Sequence, residues 1–137
     1  MLEVKDRYFG RGKRKSSVAR ALIKKSNSNQ DKIIVNGIDM NSYWEKHYRP
    51  IVLLPMQVMR KVEEDSFFEC HIIAKSGGKS GQAGATQLAI SKALLSYNEG
   101  LRSELRTHKL LTTDSRRVEP KRYGHTKSRA KQAFNKR

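Results

Sequence analysis

The sequence predicts an α+β domain, because segments with the periodicity of β-strands alternate with segments that have the periodicity of α-helices. Apolar and β-branched residues dominate three short segments, 16–25, 32–35 and 67–75, as is typical of strands. Two other segments, 51–61 and 84–97, place apolar residues at helical spacing. Within 137 residues, this mixture indicates one domain with one modest core.

The first two predicted strands lie close together in the sequence. In residues 16–25, larger side chains alternate with a face of small ones, and polar turn residues separate this segment from 32–35. The second strand ends at Asn36-Gly37, a strong turn signal because both residues tolerate positive φ. We therefore expect strands 16–25 and 32–35 to form an antiparallel hairpin.

Local signals then predict where the first helices begin. Asp39 is a suitable N-cap for a short helix that runs to about Trp44. Pro50 favours the start of a second helix over 51–61, because proline is tolerated in the first helical turn. The acidic cluster 63–65 that follows is expected to be a solvated helix end.

A glycine-rich turn over 76–84 connects the third strand to the next predicted helix. One stripe of this helix is expected to face the core: Ile90, Ala93, Leu94 and Tyr97. A further helix is predicted over 101–108, and hydrophobic periodicity stops beyond Thr113. These patterns divide the chain into a globular domain of residues 1–114 and an extended basic tail of residues 115–137.

The positive charge is concentrated at the two ends of the chain. Residues 1–25 carry nine Lys or Arg against two acids, and residues 115–137 carry nine against one. Residues 26–114 carry eleven basic and ten acidic side chains, whereas the whole chain has a formal charge of +16. Repulsion within each end opposes compaction, so a polyanionic partner is indicated, and nucleic acid is the leading candidate.

Several other classes of protein are disfavoured. No apolar run approaches the roughly 20 residues of a membrane span, and no secretory signal is visible. The single Cys70 excludes an internal disulfide and is expected to be a small hydrophobic residue in a strand. The histidines show neither metal-ligand nor nucleophile–base spacing. We therefore expect no catalytic residue, metal, cofactor, small-molecule substrate or membrane partner.

The segment Gly78-Lys79-Ser80 raises the alternative of a phosphate-loop enzyme, because it follows a strand and opens a helix. That motif requires a glycine at position 73, where this chain has Ile73, and the loop is too short to wrap a triphosphate. Exposed amides at the start of the helix are still suited to an RNA phosphate. The residues of this tentative rRNA phosphate turn are Gly78, Lys79, Ser80, Gly81 and Gln82.

Several motifs, in order along the chain, resemble small-subunit ribosomal protein nine of the bacterial or organellar type. They are Gly10–Arg20, Ile34–Gly37 with Tyr43-Trp44, Ser80–Ala85, Leu101–Arg106, Asp114–Arg116 and the ending Phe134-Asn135-Lys136-Arg137. The resemblance covers about residues 8–137. It implies a structural RNA-binding protein in the head of the small subunit, folded as a two-layer sandwich like the second domain of ribosomal protein five.

The resemblance also implies roles for individual cations. The implied rRNA contacts are Arg11, Lys13, Arg14, Lys15, Arg20, Arg116, Arg117, Lys121, Arg122, Lys127, Arg129 and Lys131. The implied contacts to the anticodon stem-loop of peptidyl-site tRNA are Asn135, Lys136 and Arg137. The implied partners are small-subunit rRNA, this tRNA and neighbouring head proteins, on a ribosome of a bacterium or of an organelle such as a plastid.

The chain departs from the family pattern mainly in the tail, which is less basic than the family norm. The departures are Ser76 for a glycine, Thr113, Pro120 and Ala130 for arginines, Gln132 for a proline and Asn135 for a serine. We expect the tail to be disordered in the free protein and ordered on assembly, because its composition is too polar to form a core. A free-standing RNA-binding or chaperone protein shares the charge pattern and remains the alternative function.

Overall fold

Five strands form one mixed sheet in the computed structural model, which describes residues 7–136. The strands are β1 (Arg7–Arg14), β2 (Ser17–Lys25), β3 (Lys32–Val35), β4 (Ile38–Asp39) and β5 (Phe68–Lys75). Their spatial order is β1-β2-β5-β3-β4. Only β3 and β5 run parallel, and the other neighbours in the described sheet are antiparallel.

The helices in the described residues are α1 (Met40–Tyr43), α2 (Arg49–Arg60), α3 (Lys79–Tyr97) and α4 (Arg102–Thr107), with a 3-10 turn over Glu99–Leu101. Helix α3 lies across β1 and β2, while α2 packs against α3 and α4. The α+β class predicted from the sequence is confirmed. The likeness to the second domain of ribosomal protein five stays a prediction.

Each long strand alternates between the core and solvent. In β2, Ala19, Ala21 and Ile23 are fully buried against the helices, whereas Arg20 and Lys24 are exposed. Strand β5 repeats the pattern, with buried residues at every second position from Phe68 to Ala74. The apolar face of the sheet and the buried side of α3 therefore form the core, and the opposite face of these strands points away from it.

Strand β1 comes unusually close to α3 because its inward positions are glycines. A Cβ atom at Gly10 would lie 2.0 Å from the carbonyl oxygen of Ala89, and one at Gly12 would lie 2.0 Å from that of Ala85. No side chain fits in that space, since the opposing atoms belong to the helix backbone. The two glycines thus let the edge strand pack directly on the helix.

The predicted hairpin between residues 16–25 and 32–35 is wrong. Strand β5 lies between β2 and β3, pairing antiparallel with β2 and parallel with β3. Parallel neighbours require a long crossover, and residues 36–67, which include α1 and α2, supply it. Asn36-Gly37 does make a turn, with both residues at positive φ, but the turn joins β3 to β4.

The sequence analysis predicted no strand before residue 16 and therefore missed β1. The strand pairs along its whole length with β2, from Arg7 opposite Lys24 to Arg14 opposite Ser17. Lys15, at φ 53°, makes the tight turn between them. Much of this strand is glycine and arginine, neither of which is a typical apolar strand residue. Its alternation between the two faces of the sheet therefore does not appear in the sequence as alternating hydrophobicity.

The helix starts were predicted well. Asp39 caps α1, since its Oδ2 accepts a 2.9 Å hydrogen bond from the Asn41 amide. Helix α2 begins at Arg49 with Pro50 in its first turn, and the glycine-rich turn opens α3 at Lys79. These signals depend only on local backbone chemistry, which explains why the sequence contained them.

Glu63 is not simply part of a solvated helix end, as the acidic cluster was expected to be. Its carboxylate accepts hydrogen bonds from Ser66 Oγ (3.0 Å), Tyr97 Oη (3.1 Å) and Asn98 Nδ2 (2.6 Å). The hydrogen bond from Asn98 is the main reason why the pKa of Glu63 is lowered. The carboxylate joins the end of α2 to the end of α3.

Residues 111–136 form no helix or strand, and most of their side chains are exposed. The chain turns at Gly124, with φ +72°, and the Thr126 amide donates a 2.8 Å hydrogen bond to the Ala130 carbonyl. The division of the chain at residue 114 stays a prediction. No helix within residues 7–136 has the length and hydrophobicity required to span a membrane.

Candidate nucleic-acid interface

The sheet surface that points away from the helices is rich in cations, and we call it the open face. It consists of Arg7, Phe9, Arg11 and Lys13 of β1, Val18, Arg20, Leu22 and Lys24 of β2, Glu69, His71, Ile73 and Lys75 of β5, and Lys32 and Ile34 of β3. Three of the predicted rRNA contacts, Arg11, Lys13 and Arg20, meet on this surface.

Strand register arranges the open face in rows. Arg11 lies opposite Arg20, and Arg20 lies opposite Ile73. In the next row, Val18 lies between Lys13 and Lys75. Within residues 7–136, none of these four cations has an ion-pair partner, so this half of the face presents uncompensated positive charge.

Arg14 and Lys15, also predicted as rRNA contacts, lie elsewhere. Arg14 points to the helix side of β1, where its Nη1 lies 2.7 Å from Asp114 Oδ2 and its methylenes contact the Gly84 position. Lys15 is exposed in the turn after β1. Arg14 therefore has a structural partner that Arg11, Lys13 and Arg20 lack in the described structure.

The glycine-rich turn uses two of its five predicted phosphate contacts internally. Lys79 Nζ donates a 3.0 Å hydrogen bond to the Tyr43 carbonyl and lies 3.6 Å from the centroid of the Tyr43 ring. Gln82 accepts a 2.7 Å hydrogen bond from Tyr43 Oη and donates to the Ser76 carbonyl. These contacts join α3 to α1 and occupy the lysine that a phosphate-loop enzyme would aim at nucleotide.

The other three residues of the turn are Gly78, Ser80 and Gly81. Gly78 caps α3 and Ser80 is exposed, whereas Gly81 is buried with Ser17 Oγ 2.6 Å from its notional Cβ. Backbone amides in the first turn of a helix have no intrahelical acceptor. The turn therefore offers amides, rather than the Lys79 ammonium, to an anion.

The predicted cations of the C-terminal segment fall into two groups. Arg116 donates to Asp114, and Arg129 makes a two-pronged contact of 2.9 and 2.7 Å with Glu119. Hydrogen bonds from these guanidinium groups lower the pKa of Asp114 and of Glu119. The others are exposed and make no ion pair within the described residues: Arg117, Lys121, Arg122, Lys127 and Lys131.

At the end of the sequence, Asn135 and Lys136 are exposed, and Phe134 is 91% exposed. The predicted tRNA contact Arg137 lies outside the described residues. Val118 and Tyr123 are also almost fully exposed. Within the described residues, three large apolar side chains are therefore exposed in a segment rich in cations.

No cluster of three or more His, Cys, Asp or Glu side chains within residues 7–136 is arranged to hold a metal ion. Cys70 is buried on β5, as predicted, and burial raises the pKa of its thiol far above the ordinary value. A thiol held in its neutral form is a poor nucleophile. Cys70 therefore contributes to the packing of the core and is not suited to act as a nucleophile.

Comparison with protein families identifies the chain. Residues 12–137 match the family described as Ribosomal protein S9/S16. The chain belongs to this family. It is therefore a structural protein of the small ribosomal subunit, where it binds rRNA beside other ribosomal proteins. Ribosomal proteins are generally non-enzymatic, which agrees with the use of Lys79 and Cys70 for packing.

Sequence reasoning on this S9/S16 family member found the charge of the open face but not its extent. It missed Phe9 because β1 was not recognised, and it missed Lys75 because β5 was not expected to lie beside β2. In the sequence, the available signal is the alternation of glycine with cations in Gly10-Arg11-Gly12-Lys13, which at a period of two places Phe9 on the face of Arg11.

Proposed function

We propose that this protein docks on small-subunit rRNA through the open face and its C-terminal cations, while its last residues contact peptidyl-site tRNA. The single observation that carries the proposal is the grouping, in two places, of cations that have no ion-pair partner within residues 7–136. One group is on the rigid sheet, and the other is in the exposed segment after Asp114. A polyanion relieves the repulsion within both groups.

Docking on rRNA is supported by the chemistry of the open face. Arg11 and Arg20 lie directly opposite each other on neighbouring strands, and like charges so placed destabilise a sheet. Guanidinium groups present forked donors that match phosphate oxygens. Phosphate binding therefore turns an unfavourable pair into a favourable one, and we assign Arg11, Lys13 and Arg20 this role.

The C-terminal cations extend the rRNA contact. Arg117, Lys121, Arg122, Lys127 and Lys131 are free to neutralise phosphates as the segment threads through rRNA, whereas Arg116 and Arg129 must first leave their carboxylates. Each phosphate neutralised steepens the salt dependence of binding by about 0.7–0.9 in a log–log plot. Lys15, exposed in the turn after β1, also joins this contact, whereas Arg14, like Arg116, must first leave Asp114. The first-turn amides of α3 hold a further phosphate.

We call residues Asn135, Lys136 and Arg137 the tip. Its proposed contact with tRNA rests on its composition, which provides two cations and an amide donor. This composition suits a phosphate backbone such as that of the anticodon stem-loop. The resemblance of these residues to bacterial-type relatives favours a location in the head of the small subunit of a bacterium or an organelle, including a plastid.

Deletion of residues 135–137 tests the tip. Small subunits reconstituted with the shortened protein should assemble normally but bind peptidyl-site tRNA about tenfold more weakly, because charged hydrogen bonds are lost. The matched control is the Lys127→Ala, Lys131→Ala double variant, which removes the same number of positive charges from residues that precede the tip. Equal tRNA affinity of tip-deleted and wild-type subunits would contradict the proposal.

A further inference from the structure

The open face combines its cations with exposed apolar side chains. Phe9 is 56% exposed and Ile73 is 53% exposed, although both lie on strands whose inward neighbours are buried. Phe9 is followed on the same face of β1 by Arg11, at a distance of about 7 Å along the strand. Opposite Phe9 lies Leu22, and beyond it His71. Phe9 thus has Leu22 as its neighbour across the strands and Arg11 as its neighbour along its own strand.

The charge around this ring favours RNA as the occupant. The face carries seven cations against one carboxylate, Glu69, among the described residues. Glu69 lies in the row of Arg7, Lys24 and Lys32, where it is surrounded by cations, and not beside Arg11. A protein partner for such a surface must supply both carboxylates and apolar side chains, whereas an unpaired RNA segment carries phosphates and base faces in every nucleotide.

The platform is rigid, which suits it to hold a flat base. Gly10 and Gly12, on the inner side of β1, bring the strand backbone against the carbonyls of Ala89 and Ala85. The alternating outward positions, Phe9 and Arg11, are consequently fixed on a strand that is clamped between α3 and β2. A preorganised surface loses less conformational entropy on binding than a flexible one.

We propose that the open face binds an unpaired segment of RNA, with one base stacked on the Phe9 ring and the flanking phosphates held by Arg11 and Arg20. This inference rests on the rRNA docking proposed above and specifies its chemistry. A base face is available only where RNA is unpaired, because a duplex presents its backbone and groove edges. Phe9 then supplies an attraction that salt does not screen, and the arginines supply one that it does.

Salt titrations with the full chain separate these contributions. The probe is a labelled single-stranded uridine oligonucleotide of about 12 nucleotides, compared with a duplex of the same length. Phe9→Leu should weaken single-strand binding by about 5- to 100-fold at every salt concentration, with the salt slope unchanged. Phe9→Tyr keeps the ring and should restore affinity. The Arg11→Ala, Arg20→Ala double variant should instead lower the slope by about 1.4.

The matched control is the Arg102→Ala, Arg106→Ala double variant. It removes two exposed arginines of α4, on the helix side of the molecule, and should change the slope much less than the pair on the open face. Wild-type affinity of Phe9→Leu for the single strand, or an equal loss for the duplex, overturns the stacking proposal. If stacking is overturned but the Arg11→Ala, Arg20→Ala variant lowers the salt slope of RNA binding, the proposal of rRNA docking on the open face still holds. If the slope of that variant equals the wild-type value, rRNA docking on this face is overturned as well.

Photocrosslinking gives a second measurement that requires no variant. RNA that carries 5-iodouridine reacts with aromatic rings stacked on the base, and the chain offers Phe9 on the sheet with Tyr123 and Phe134 in the C-terminal segment. A crosslinked peptide that contains Phe9 is the expected result. Crosslinks confined to Tyr123 and Phe134 overturn the proposal.

Discussion

Arg14 Nη1 lies 2.7 Å from Asp114 Oδ2, so the last residue of β1 is paired with the segment that follows α4. The same carboxylate accepts hydrogen bonds from the side chain and the backbone amide of Arg116. One aspartate therefore fixes where the exposed cationic segment leaves the domain. Because β1 also carries Arg11 and Phe9, this contact sets the position of the C-terminal cations relative to the open face.

Asp114→Asn should release this segment. Hydrogen bonds from Arg116 hold the pKa of Asp114 well below its usual range, so the ionised contact is complete above the ordinary aspartate pKa of about 3.9. In the wild type it is lost only as the pH falls through the lower pKa of the folded state. Heteronuclear NOE values of residues 112–117 should therefore fall in the variant at neutral pH. Glu119→Gln, which breaks only the contact with Arg129, should leave them unchanged; equal values in Asp114→Asn and the wild type would refute the anchor.

Gly12→Ala should destabilise the domain by about 3 kcal/mol or more, because its Cβ would collide with the Ala85 carbonyl oxygen. Helix α3 and strand β1 must then move apart, which weakens the packing between them. Urea unfolding of the two proteins measures the change. Gly78→Ala is the matched control, since a Cβ there meets nothing within 4 Å and the residue has an ordinary negative φ. A Gly12→Ala variant as stable as Gly78→Ala would contradict the close approach.

Glu63→Gln should lower the stability of the domain at neutral pH. The hydrogen bond from Asn98 is the main cause of the lowered pKa of Glu63, so the folded state prefers the carboxylate. This contribution is fully present above the unfolded-state pKa of about 4.3, and it is lost as the pH falls through the lower folded-state pKa. The difference between wild type and variant in urea midpoint should therefore shrink in acid. Glu64→Gln, which changes the exposed neighbouring carboxylate in the same way, is the matched control. A constant difference for Glu63→Gln would argue against the hydrogen-bonded carboxylate.

Glu119→Gln should increase the affinity of the protein for RNA. The variant frees Arg129 from its two-pronged contact, so the guanidinium no longer has to leave a carboxylate before it reaches a phosphate. The salt slope of RNA binding should steepen by up to about 0.9, the value for one added phosphate contact. Glu64→Gln removes the same charge from the end of α2 and serves as the control. Identical slopes for both variants would mean that the Arg129 contact does not limit binding.

Signals that act within a few residues predicted much of this fold. The Asp39 cap, the proline at the start of α2 and the glycine-rich turn before α3 all concern local backbone hydrogen bonds. Strand pairing depends on distant residues. Strand β5 lies between β2 and β3 in the sheet, although more than 30 residues separate it from β3 along the chain. No local pattern in residues 16–35 distinguishes that arrangement from a hairpin.

The candidate interface was predictable to a similar degree. Charge indicated a basic segment over residues 1–25, and the family resemblance singled out Arg11 and Arg20 within it. Their alignment opposite each other depends on β1, whose glycines serve packing against α3 and dilute the hydrophobic pattern. Ion pairing in the C-terminal segment was equally hidden, since Glu119 and Arg129 are ten residues apart and meet only where the chain turns.

Site-specific crosslinking in assembled small subunits tests the central claim most directly, that the sheet and the tip of the chain serve different RNAs. A photoreactive amino acid is placed at Arg20 in one protein and at Lys136 in another, with tRNA in the peptidyl site. Crosslinks from position 20 to rRNA alone, and from position 136 to the anticodon stem-loop of tRNA, are the predicted result. Crosslinks from position 136 to rRNA alone, or from position 20 to protein and not to rRNA, would contradict the account.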